Sequence, residues 1–146
     1  MPPFETINNL NASASKDFSR LDSQIFDYRT LMDHATKARN ARQWSRSERL
    51  ARRAMNMRPN SEAAAAVLSA ALRALGKPSE ALAVTDGFKR SSSVALLTTR
   101  AAALCDVGQW REARNTISVA FAVGGDRPAE AFSVLARIRA AAPQFG

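Results

Sequence analysis

Three short segments of this chain resemble one another: Arg42-Gln43-Trp44-Ser45-Arg46-Ser47, Gly76-Lys77-Pro78-Ser79-Glu80-Ala81 and Gly108-Gln109-Trp110-Arg111-Glu112-Ala113, set 34 and 32 residues apart. A period of that size holds two helices and a turn, so it restricts the chain to an array of helical hairpins, each burying its apolar face against the next. Each segment ends one helical pattern and begins another, with a small residue on the second helix at Ser47, Ala81 and Ala113. Further inward positions fall at Ala51 and Ala54, Thr85 and Phe88, and Ile117 and Ala120. Close crossing of helices needs small side chains there, with larger ones wedged between neighbours.

The rest of the pattern agrees with an all-α fold. Breaks fall at 40–43, Pro59-Asn60, 76–78, 91–93, Gly108-Gln109, 124–128 and Pro143, and nothing between them alternates with a period of two. Asn60 or Ser61 can cap the helix that follows Pro59, and Pro128 suits the first turn of a last helix carrying Phe132, Leu135 and Ile138. Residues 1–14, polar with two early prolines, form an arm. From Ser15 an apolar stripe of Phe18, Leu21, Ile25, Tyr28, Met32 and Ala35 predicts one helix, or two abutting helices, over about 16–40. That stripe serves either packing against the first hairpin or self-association through Phe18, Leu21, Ile25 and Met32.

The three turns resemble those of the tetratricopeptide repeat family, a 34-residue helix-turn-helix unit with a small residue in each helix and a terminal proline. Gly108-Gln109-Trp110-Arg111-Glu112-Ala113 is the best match, Pro59 lies where the terminal proline belongs, and Ala35, Ser69 and Ala101 lie at the small first-helix position. The resemblance implies antiparallel hairpins stacked as a short right-handed superhelix. A helical extension spans 15–27, repeats span 28–61, 62–93 and 94–126, a capping helix spans 128–142, and a tail spans 143–146. Arg42 replaces the turn glycine of the first unit, Pro78 replaces the aromatic of the second, and the second unit is about two residues short, so distortion is expected at the middle turn.

The resemblance also implies that the first helix of each unit lines a concave groove. Its positions here are Arg29, Met32, Thr36, Arg39, Ala63, Ala66, Ala70, Arg73, Ala95, Thr98, Ala102 and Cys105. Most are small, which leaves room for a helix or an extended peptide, while Arg29, Arg39 and Arg73 suit carboxylates through forked, charge-assisted hydrogen bonds. The alternative is a groove filled by the chain's own N-terminal or last helix. The family's clamp for acidic C-terminal tails needs Lys and Asn in the groove, which Met32, Thr36 and Ala70 do not supply.

Charge is concentrated in one place. Lys37, Arg39, Arg42, Arg46, Arg49, Arg52, Arg53 and Arg58 face a single acid, Glu48, between positions 37 and 58, a local +7 in a chain whose formal net charge is +8. Arg46, Arg49 and Arg53 follow spacings of three and four and form one stripe on the second helix. Three uses compete for it: an acidic protein surface, nucleic-acid phosphate, or solvent alone. Only Trp44 offers a nearby aromatic for base stacking, at a turn position that is usually packed.

Catalytic chemistry is not expected. His34 and Cys105 are each the only residue of their type, which supplies neither a zinc ligand set nor a disulfide, and no carboxylate pair stands out. Cys105 reads as a small, partly buried helix residue and His34 as a solvated one; Gly124-Gly125-Asp126 reads as a turn and not a phosphate loop. No cofactor or metal is expected. The start, Met1-Pro2-Pro3-Phe4-Glu5, does not read as a secretory signal, and the alanine-rich runs are broken by arginines, so a cytoplasmic protein without a transmembrane segment is expected. Abundant alanine and a preference for Arg over Lys suggest a bacterial, GC-rich origin. The leading expectation is an adaptor or assembly subunit that binds a protein partner, a helix or an acidic surface, at Arg29, Met32, Thr36, Arg39, Arg73, Thr98 and Ala102 and at Arg46, Arg49 and Arg53. The alternatives are a basic nucleic-acid-binding module and a secretion-type chaperone sheltering a partner helix.

Overall fold

The computed structural model describes residues 27–123, 125 and 128–145, all of whose regular structure is helical. Seven α-helices follow in order: α1 Tyr28–Asn40, α2 Trp44–Met57, α3 Glu62–Ala74, α4 Pro78–Thr85, α5 Val94–Asp106, α6 Trp110–Val123 and α7 Ala129–Phe145. A 3-10 turn, Asp86–Phe88, follows α4. The arm at 1–14 and the stripe residues Phe18, Leu21 and Ile25 lie outside the described residues, as do Gly124 and Asp126. Asp27 caps α1 by accepting the Thr30 N–H at 2.8 Å, so the helix at Tyr28 has its own start and a single unbroken helix over 16–40 is ruled out.

The three hairpin turns are built alike. Gln43, Lys77 and Gln109 each donate an N–H to the carbonyl five residues back, at Ala38, Leu72 and Leu104, all at 2.8 Å. The preceding residues, Arg42, Gly76 and Gly108, take the left-handed conformation at φ 59°, 78° and 81° and donate to Arg39, Arg73 and Cys105 at 3.0 Å. This is the Schellman closure, which absorbs carbonyls the helix end leaves without partners. The middle turn is therefore not distorted. Pro78 opens α4 where a missing N–H has no partner to lose, and the irregularity appears later, in the short α4 and the 3-10 turn.

A second set of equivalent positions starts the first helix of each unit. Asp27, Ser61 and Ser93 accept the N–H of Thr30, Ala64 and Leu96. Tyr28 hydrogen-bonds Ser61 through the two hydroxyls, tying the first residue of α1 to the cap of α3, and the Arg58 guanidinium lies 4.2 Å from the Tyr28 ring centre.

Within each hairpin the crossing is made by a pair of small, fully buried residues: Ala35 with Ser47, Ser69 with Ala81, and Ala101 with Ala113. A buried hydroxyl needs an acceptor. Ser47 finds the Ala35 carbonyl at 3.0 Å, and Ser69, on the opposite helix, finds the Ala81 carbonyl at 3.3 Å. The core forms one cluster around Leu31, Leu50, Leu68 and Leu72 and a second around Leu97, Leu104, Ile117 and Val134, with Ala65, Ala66 and Leu96 between them. Helix α7 packs on both α5 and α6 and runs to Phe145, past the Pro143 break that the sequence suggests. Among the described residues no helix is long and apolar enough to cross a membrane.

Candidate functional site

The first helices, α1, α3 and α5, bring the expected groove residues to one side, but only part of that side is open. Three contiguous cavities follow it. The first, about 540 Å³, is lined by Tyr28, Arg29, Met32, Asp33, Arg58 and Ala63. The second, about 490 Å³, takes Met32, Thr36, Arg39, Glu62, Ala63, Ala66 and Ala95. The third, about 450 Å³, takes Arg39, Asn40, Trp44, Ala70, Arg73, Ala74 and Glu130. Shared Met32 and Ala63 join the first two, and shared Arg39 joins the last two, so Arg29, Met32, Thr36 and Arg39 lie along one trough with a floor of small residues.

The third unit departs from expectation. Thr98 and Ala102, which the resemblance assigns to the groove surface, are each 1% exposed. Ala102 and Cys105 share a cluster with Ala131, Val134 and Ile138, so α7 covers this part of the face. The cause is the apolar stripe of α7, which finds alanine and cysteine in the third unit and packs there. The Thr98 hydroxyl is buried without a hydrogen-bond partner. Burial pushes the Cys105 thiol up, away from the reactive thiolate.

Arg73 is likewise not available to a partner. Its Nε donates to Asp106 Oδ2 at 2.6 Å and its Nη2 to Asp106 Oδ1 at 3.3 Å, a forked pair, while Nη1 donates to Glu130 Oε1 at 3.0 Å. Arg137 also reaches Asp106 Oδ1, at 2.9 Å. Burial works against charge on Arg73, but the hydrogen bonds and field of Asp106 and Glu130 outweigh it and raise its pKa. Burial also opposes ionisation of Asp106, and the two guanidiniums overcome it, holding that carboxyl below its ordinary value. Glu130 and Arg137 are seven residues apart, about 10 Å along a helix and close to the spacing of packed neighbours. Helix α7 thus ties the end of α3 to the end of α5.

The arginine stripe on α2 is narrower than its spacing implies. Arg46 and Arg49 are exposed, whereas Arg53 is half-buried and engaged within the molecule. Next to them Arg52 lies 3.6 Å from Glu48 and 3.7 Å from Glu80, and Lys77 lies 3.5 Å from Glu48, so acids from α2 and α4 neutralise one edge. His34 is half-buried and has a partner within the molecule, not solvated.

Arg100 is one of the arginines that interrupt the alanine-rich runs, and the sequence assigns it no other role. It is 3% exposed and donates to Thr85 Oγ1 and Asp86 Oδ1 at 2.9 Å and to Glu112 Oε1 at 3.1 Å, joining α4, α5 and α6. Its role is structural. The sequence signal was available: the equivalent position one unit earlier is the buried Leu68. Among the described residues no three His, Cys, Asp or Glu side chains gather as a metal site. No family model, curated protein or solved structure matches this chain.

Proposed function

We propose that this protein is a non-enzymatic binding module of the tetratricopeptide-like kind, its hairpins coiled as a short right-handed superhelix, acting as an adaptor or assembly subunit in the cytoplasm. One observation carries the reading: a continuous trough over α1 and α3 with an apolar floor of Met32, Ala63, Ala66 and Ala95 and a cation, Arg39, that makes no ion pair among the described residues. Small floor residues bring a ligand close to backbone, and arginine fixes its carboxylates by directed hydrogen bonds. The face of α2 bearing Arg46 and Arg49 adds long-range attraction for an acidic partner, which acts on association rate and weakens with salt.

The test is a pull-down with crosslinking mass spectrometry, comparing wild type with Arg46→Glu/Arg49→Glu at low and physiological salt. A protein partner crosslinked to α1 and α3 should be recovered from wild type at both salts, in lower yield from the variant. Recovery of nucleic acid instead, with affinity collapsing as salt rises, would identify phosphate as the target and reject the reading.

A further inference from the structure

The repeat allows the open and covered parts of the concave face to be compared position by position. Met32, Thr36 and Arg39 of α1 correspond to Ala66, Ala70 and Arg73 of α3, and these to Thr98, Ala102 and Cys105 of α5. In the third unit the face is covered by a helix of this chain, α7, whose Ala131, Val134 and Ile138 pack on it. A carboxylate in the first turn of that helix, Glu130, reaches back to Arg73. The molecule therefore displays the kind of ligand its own face accepts.

Arg39 is the counterpart of Arg73 without its acceptors. Arg73 has Asp106 from the next unit; the residue at that place for Arg39 is Ala74, and both line the third cavity. Among the described residues Arg39 makes no side-chain ion pair, although it is half-buried. At the other end of the trough Arg29 shares its cavity with Asp33; Glu62 and Glu130 line the two cavities that Arg39 lines, but Glu130 is engaged by Arg73 and neither acid pairs with Arg39.

We infer that the open face binds, in trans, an acidic amphipathic helix that continues the packing of α7: its apolar stripe lies over Met32, Thr36, Ala66 and Ala70, and a first-turn carboxylate forks onto Arg39. This rests on the reading of the trough as a binding surface and adds the chemistry of its occupant. The trough needs no second cation from the ligand, because Ala74 stands where Asp106 would have required a counterpart to Arg137.

The test uses full-length protein and one probe, a fluorescein-labelled peptide of residues Ala129–Phe145 in which Arg137→Glu and Arg139→Glu have been made. Fluorescence anisotropy should show saturable binding. Arg39→Glu should weaken it about tenfold or more, the loss expected for a charge-assisted fork. Ala74→Asp should weaken it comparably, by giving Arg39 an internal acceptor; Ala74 is exposed on the last turn of α3, and circular dichroism checks that both variants stay folded. Glu130→Gln in the probe should produce the same loss, and Arg46→Glu/Arg49→Glu a smaller one that fades as salt rises, as long-range attraction does. Binding indifferent to Arg39 and Ala74, or no saturable binding by folded wild type, overturns the inference. Binding lost only with Arg46 and Arg49 also overturns it, while leaving the broader reading as an interaction module in place.

Discussion

Single residues show how a repeat tolerates an imperfect sequence. Arg42 occupies the left-handed corner that Gly76 and Gly108 occupy in the other turns, with the same closing hydrogen bonds. A side chain in that conformation costs roughly 1 kcal/mol, so Arg42→Gly should raise stability by up to about that amount, while Gly108→Ala should lower it by about 1 kcal/mol. No atom lies within 4 Å of a Cβ added at Gly108, so the cost there is conformational and not steric. Chemical denaturation measures both, and a destabilised Arg42→Gly would contradict the equivalence of the turns. The small crossing residues were legible from sequence because their spacing repeats. Arg100 could be noticed only as a departure from Leu68 at the equivalent position; its three acceptors, on α4, the 3-10 turn and α6, are marked by no local pattern.

At the scale of elements, helix starts and turns could be read from caps and periodicity, whereas the placement of α7 could not. An amphipathic stripe says that a helix buries one face, not which surface it meets. That the last helix fills part of the groove is seen in Ala102 and Cys105 receiving Ala131, Val134 and Ile138, and in ion pairs spanning 33 and 57 residues; the alternative filler, the N-terminal stripe, lies outside the described residues. Asp106 is the centre of that strap. Its carboxyl is held below the ordinary value of 3.8, so it contributes stability above that value and loses the contribution as pH falls through its lower folded pKa. Asp106→Asn should therefore melt at lower temperature than wild type near neutrality, with the gap closing as the pH drops below 3.8. A gap that does not change with pH would show that the ionised carboxylate is not what fastens α7.

The whole molecule is asymmetric along its stack. Its first hairpin carries most of the chain's net positive charge; among the described residues its first two units keep an open trough and its third unit is covered by α7. The guanidiniums divide by use: Arg52, Arg73 and Arg100 are spent on internal acids, Arg46 and Arg49 form an exposed pair, and Arg39 faces the trough. The proposed binding site is that trough. The direct measurement is photo-crosslinking in cells from a reactive side chain placed at exposed Ala63, in the trough, or at exposed Val119, on α6. Covalent capture of a protein from position 63, absent from position 119 and lost on adding Arg39→Glu, is the predicted result. Equal capture from both positions, or capture from 63 that survives Arg39→Glu, would contradict it.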